Sequence, residues 1–181
     1  MVDLSKLTNY LASNGEDTPN ILLIGEEIID WRPLELFLRD RRFKCAVVNG
    51  TDVPTSKSFM YALGDEFSLA RATGLEVGWG HNWNAVLDTM GKLSWFSELT
   101  AVILLLTSPH MLLYNENAEE KHTMWYVLNQ VSIDNRSSSR GLIHGVDSIV
   151  FRTVVIDKAG DGVEETARSA GVQVKRYDHF D

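Results

Sequence analysis

Ala101-Val102-Ile103-Leu104-Leu105-Leu106 is an apolar run with no polar break. A strand that shows one face to water alternates apolar and polar residues, so a run without alternation reads as a central strand buried on both faces. Such a strand needs partner strands on either side and helices above and below. Ser108-Pro109 stops it. This one segment already restricts the chain to a layered α/β arrangement.

The remaining segments are consistent with that restriction. Asn20 to Gly25 is a short apolar run closed by glycine, a predicted strand. Trp31 to Arg39 reads as a helix, with Asp30 as N-cap, Pro33 in the first turn and Leu34, Phe37 and Leu38 on one face. Cys45 to Val48 is the next strand. Residues 55–70 read as a helix capped by Thr55 or Ser56, with Phe59 and Phe67 among its apolar points. A helix from about Ala118 to Val131 precedes a strand from about Ile149 to Ile156. Ser137 to Gly141 is the most linker-like stretch. Gly160-Asp161-Gly162 is a turn, Val163 to Ala170 a helix ended by Gly171, and Val172 to Tyr177 alternates as a half-exposed edge strand. Strands and helices alternate throughout, which predicts α/β with a small, largely parallel sheet flanked by helices.

The segment from Trp79 to Trp95 carries the functional signal. At ~100° per residue, Trp83, Val86, Met90 and Leu93 share one side of a helix. His81, Asn84, Asp88, Gly91, Lys92 and Trp95 share the other. Asn82 is placed to cap the first turn. Asn84 and Asp88 are four residues apart and point the same way. Trp79, just before the helix, and Trp95 beyond it flank the polar face, and tryptophan is enriched at binding hot spots.

Trp79-Gly80-His81-Asn82-Trp83-Asn84-Ala85-Val86-Leu87-Asp88 resembles the signature of the barstar family, small intracellular inhibitors of a secreted ribonuclease. Val47-Val48-Asn49-Gly50 resembles that family's first strand and turn, and Ser58 to Leu63 its first helix. The similarity spans residues 44–156. It implies a barstar-like three-layer core, with a strand–helix addition over 1–43 and a helix–strand addition over 157–181, in one domain of 181 residues. It also implies a function: a proteinaceous inhibitor, an immunity protein of bacterial type, that occludes the active site of a toxin, a ribonuclease or other nuclease. Trp79, Gly80, His81, Asn82, Asn84, Asp88 and Trp95 are the partner-binding residues on this reading, with Asp88 standing in for a phosphate. Asn84 replaces the family's other helical aspartate, and Gly78 stands where an aromatic residue is common, which fits a relative with a different target. The second reading is a non-catalytic interaction module that binds through its terminal additions.

Composition bears on the same question. There are 25 acidic and 17 basic residues, a net charge of −8. Residues 1–40 hold eight acids and three bases, 41–100 six of each, and 101–181 the remaining eleven and eight. That balance favours a basic protein partner and disfavours nucleic acid. No apolar stretch approaches ~18 residues and the first residues lack a signal-peptide pattern, so no membrane partner and a cytoplasmic location are expected. The lone Cys45 lies in a strand, where the default is an inert thiol. The five histidines form no zinc-type spacing. No Gly-Lys-Ser/Thr phosphate loop occurs, and Gly78-x-Gly80 is no dinucleotide fingerprint. No cofactor, metal, catalytic residue or small-molecule substrate is therefore expected. An enzyme would have to build on His110, which follows the buried strand, with Asp88 and Ser108.

Overall fold

The computed structural model describes residues 3–13, 15, 18–70, 74, 80–96, 98–137, 149–158 and 162–177. Helix α1 (Leu4–Ala12) leads to β1 (Ile21–Gly25), α2 (Trp31–Arg39) and β2 (Phe43–Asn49). Then come α3 (Ser56–Phe67), α4 (Trp83–Met90), β3 (Ala101–Thr107), α5 (Ala118–Ser137), β4 (Val150–Asp157), α6 (Val163–Ser169) and β5 (Val174–Tyr177).

The five strands form one sheet in the order β2-β3-β4-β1-β5, and every pairing is parallel. All seven residues of β3 are buried, as the unbroken apolar run requires. β1 pairs with β4 (Ile21 opposite Thr153) and with β5 (Ile21 opposite Val174). β1 and β5, the strands of the two expected additions, are thus both built into the single sheet.

Alternate strand residues feed two cores. Leu22, Ile24, Ile103 and Leu105 meet α1 and α2 through Leu7, Leu11, Leu34 and Leu38. Ile21, Leu23, Leu104 and Leu106 meet the opposite layer through Phe59, Leu63, Val86, Met90, Leu128 and Ala167. Burying each of these side chains contributes on the order of 1.5–3 kcal/mol. The α1–β1 connection is tied down at the amino end of the sheet. There the buried Arg152 of β4 donates to Asn20 Oδ1 at 3.0 Å and to the Ser13 carbonyl at 2.6 Å. Arg136 donates to the same Asn20 oxygen. Burial, with the Arg136 charge nearby, pulls Arg152 down to about 10.

The local signals explain most boundaries. Asp30 Oδ1 accepts from Arg32 N at 3.1 Å, the cap expected for α2. Thr55 caps α3 in a reciprocal box with Ser58. Gly171 leaves the last turn after α6 with φ 73. Helix α1, capped by Asp3, was not expected from the sequence. The expected linker over 138–141 and the turn at 160–161 lie outside the described residues. Among the described residues, no helix is long and apolar enough to cross a membrane.

Candidate functional site

In open parallel sheets ligands bind beyond the carboxyl ends of the strands, where the chain's direction across the sheet reverses. Here the chain leaves β1 for the far edge at β2 and returns through β3 and β4, so β1 and β4 flank the reversal. The turn after β1 is Gly25-Glu26-Glu27. A Cβ on Gly25 would land 2.1 Å from Glu27 Oε1, so the carboxylate of Glu27 lies directly over that backbone. Glu26 N donates to the Asp157 carbonyl at 2.8 Å, and Lys158 Nζ pairs with Glu26 Oε1 at 3.2 Å.

Beside this turn, Asp157 is buried and both its oxygens accept from Arg176, at 3.1 and 2.9 Å. Arg176 Nε also lies 3.6 Å from Glu164 Oε2. Arg168 donates through Nε and Nη2 to Glu164 Oε1 at 3.1 and 2.8 Å. Those hydrogen bonds from Arg168 hold Glu164 below the usual carboxylate range, and Arg176 adds to the effect. The cluster borders an open cavity of about 680 Å³. Its acids and bases are matched within the chain.

The end of β3 is built differently. Ser108 and Leu113 both adopt left-handed backbone, with φ of 48 and 52. For residues other than glycine this costs roughly 1–2 kcal/mol each. The segment between them is braced from below: a Cβ on Gly50 would lie 2.2 Å from the Ser108 carbonyl oxygen, so only glycine fits there. Leu113 N donates to the Val53 carbonyl at 3.1 Å, and Ser56 donates to Glu116 Oε1 through N and Oγ, at 2.9 and 3.0 Å. His110 is thereby presented, exposed, at the strand's carboxyl end.

The polar face of α4 is exposed. Asn84 and Asp88 point to solvent and make no hydrogen bond or ion pair among the described residues. Asp88 is accordingly not joined to His110 and Ser108. Gly80 is exposed, and Asn82 Oδ1 accepts from Ala85 N at 2.9 Å, capping the helix. His81 stacks on Tyr61 of α3 with ring centroids 4.0 Å apart. Trp95 is 37% exposed and packs on Phe96 at 5.7 Å. Trp79 lies outside the described residues. Two expectations for this segment change. Gly91 is buried against Asp134 of α5 instead of facing out. Trp83 is only half-buried, because its indole Nε1 donates to Glu120 Oε2 at 2.9 Å while its ring lies 6.2 Å from Phe59.

Partners from α5 were missed by the sequence reading. Asn135 is buried at the end of α4, accepting from Leu93 N at 3.0 Å and donating to the Met90 carbonyl at 2.6 Å. Nothing in the sequence marks that asparagine as a cap for a distant helix. Ser169 Oγ and His122 Nε2 are 2.8 Å apart across α5 and α6. No group of three or more metal-ligating side chains comes together among the described residues.

No protein-family model matches the chain, and no curated protein does. Solved structures do. A chain in the structure of Drosophila ORC bound to AT-rich DNA and Cdc6 matches with a TM-score of 0.51 at 14% identity, over 97% of this chain and 52% of that one. Cdc6p from Pyrobaculum aerophilum matches with a TM-score of 0.51 at 14% identity, over 96% of this chain and 44% of that one. The chain therefore spans about half the length of the proteins it resembles in fold.

These findings correct the family expectation. Two structures similar over nearly the whole chain are of an ORC complex with Cdc6 and of Cdc6p, and no family model supports barstar. The α/β class stands, as one sheet of five parallel strands flanked by helices, and the barstar-like three-layer core is not supported. The readings drawn from the family go with it: ribonuclease inhibitor, bacterial immunity protein, and a toxin with a basic active site as partner. The exclusion of nucleic acid is withdrawn as well, since one similar structure is of a complex on AT-rich DNA. Net charge alone was too coarse a guide for that exclusion.

Proposed function

We propose that this chain is a non-catalytic binding module, built on a fold like that of ORC and Cdc6 chains, that acts by docking to a macromolecular partner. The observation that carries the reading is the contrast between its two polar regions. At the carboxyl edge, Asp157, Glu164, Arg168 and Arg176 satisfy one another. On α4, Asn84 and Asp88 are exposed and uncommitted, with His81, stacked on Tyr61, just before the helix in sequence and exposed Trp95 just after it.

The residues after β1 do not fit a nucleotide. A phosphate at such a turn is held by glycine-rich backbone amides and a lysine. Gly25-Glu26-Glu27 supplies two carboxylates instead, one of them lying on the glycine. No catalytic step is assigned through a nucleotide. The docking face comprises Gly80, His81, Asn82, Asn84, Asp88 and Trp95, with Trp79 adjoining it in sequence. The buried lone thiol of Cys45 supports a cytoplasmic setting.

The test has two arms. Calorimetry with magnesium ATP is expected to show no binding and no turnover. Capture of partners by the wild-type chain is compared with Asp88→Arg and Trp95→Ala, and affinity for the captured partner is expected to fall at least about tenfold in each. Saturable ATP binding, partner capture unaffected by both variants, or tight binding of an AT-rich duplex that ignores Asp88→Arg overturns the reading.

A further inference from the structure

A second pocket, of about 120 Å³, lies between the strained segment after β3, helix α5 and helix α6. Its floor is apolar: Leu112, Met124, Trp125 and Val163 are each buried. Its rim carries His110 and Lys121, with the Thr166 hydroxyl between the helices. No carboxylate is among the described residues that line it. The Lys121 ammonium has no ion pair among the described residues.

Of the acids on the surrounding elements, Glu119 and Glu165 are exposed and do not line the pocket, and the others are turned to other partners. Glu120 accepts from the Trp83 indole, and Glu116 from Ser56. Glu164 accepts from Arg168, and Glu165 borders the larger cavity on the other side of α6. A cation on the rim of an apolar pocket is thus left without an internal counter-charge. Ligand pockets combine apolar wall with a few convergent polar groups; here the apolar floor is small and most of the exposed lining is polar. The pocket also lies at the carboxyl ends of the strands, where doubly wound sheets hold ligands. The backbone that presents His110 is held in left-handed conformation at both ends, and such strain gathers at ligand clamps.

We propose that this pocket binds a short aliphatic carboxylate. The hydrocarbon tail lies on Trp125, Met124 and Val163, and the carboxylate meets the Lys121 ammonium and the His110 imidazole at the rim. A bare phosphate leaves the apolar floor uncovered, and an alkylammonium sets like charges together. The proposal stands apart from the α4 docking face and survives if that face proves inert.

The test is a titration of the isotope-labelled full chain with butyrate, followed by amide shifts at constant ionic strength. Inorganic phosphate and n-butylammonium serve as the comparisons. Saturable shifts centred on residues 110–112, 121–125 and 163–166 are expected with butyrate at millimolar concentration. Lys121→Gln is expected to weaken binding about tenfold while leaving the unfolding midpoint unchanged. A peptide ending in valine carries the same group on a protein. Tighter binding of that peptide assigns the ligand to a partner's C-terminus, and equal binding assigns it to free acids; both support the site. Absence of saturation with butyrate, an equal response to butylammonium, or full affinity in Lys121→Gln overturns it.

Discussion

At the carboxyl edge Asp157 is buried and both its oxygens are taken by Arg176, whereas on the outer side of α4 Asp88 is exposed and bonded to nothing among the described residues. The two aspartates differ in environment, not in chemistry. A buried carboxylate must be paired, because an isolated charge in the interior costs several kcal/mol. An exposed one needs no partner and stays available for another molecule. Within one chain, then, a matched buried charge belongs to the architecture, while an exposed unmatched one is left to solvent or to another molecule.

The contrast is open to direct attack. Its largest consequence is at Asp157: Asp157→Ala leaves the Arg176 guanidinium without its main partner and should cost about 4 kcal/mol in urea unfolding. A loss below about 1 kcal/mol would make the carboxyl-edge network ornamental and remove one side of the comparison. The inner side of α4 should behave as core. Met90 is fully buried, so Met90→Ala is expected to cost about 3 kcal/mol by the same measurement.

A third handle is pH. Burial pushes the Cys45 thiol from 9.0 up to about 12, with Glu35 adding to the rise. The native thiol stays protonated while the unfolded one ionises. The stability this confers is complete below pH 9 and is lost as pH rises toward about 12. Between pH 9 and about 10.5 the wild type should lose about 2 kcal/mol more than Cys45→Ala. Parallel curves for the two would show that the thiol is accessible. The smallest expected effect is on the exposed side of α4, where Asp88→Ala should change stability by no more than about 0.5 kcal/mol. A larger loss would mean that Asp88 has a structural partner.

What could be read from the sequence was whatever depended on neighbours along the chain. The buried strand over residues 101–107 announced itself by its lack of alternation. Asp30 and Pro33 fixed the start of α2 to the residue. The outward set of α4 followed from angular spacing, except at Gly91, whose position is decided by Asp134 on another helix. Long-range pairing was not legible. Nothing in Ile21 to Gly25 says that this strand enters between β4 and β5. The resemblance to barstar rested on a ten-residue signature and short flanking matches, and local matches do not report the order of strands. The carboxyl-edge cluster was invisible for the same reason, since Glu26, Asp157, Glu164 and Arg176 come from the turn after β1, β4, α6 and β5.

The insertion of β1 has a consequence in time. Among the described residues its strand partners begin at residue 150 and residue 174, so the strand over 21–25 has nowhere to pair until well over a hundred further residues exist. Closing so long a loop makes assembly slow and leaves that early strand adhesive during synthesis. A nascent chain of this kind has reason to depend on chaperones until β4 and β5 have left the ribosome.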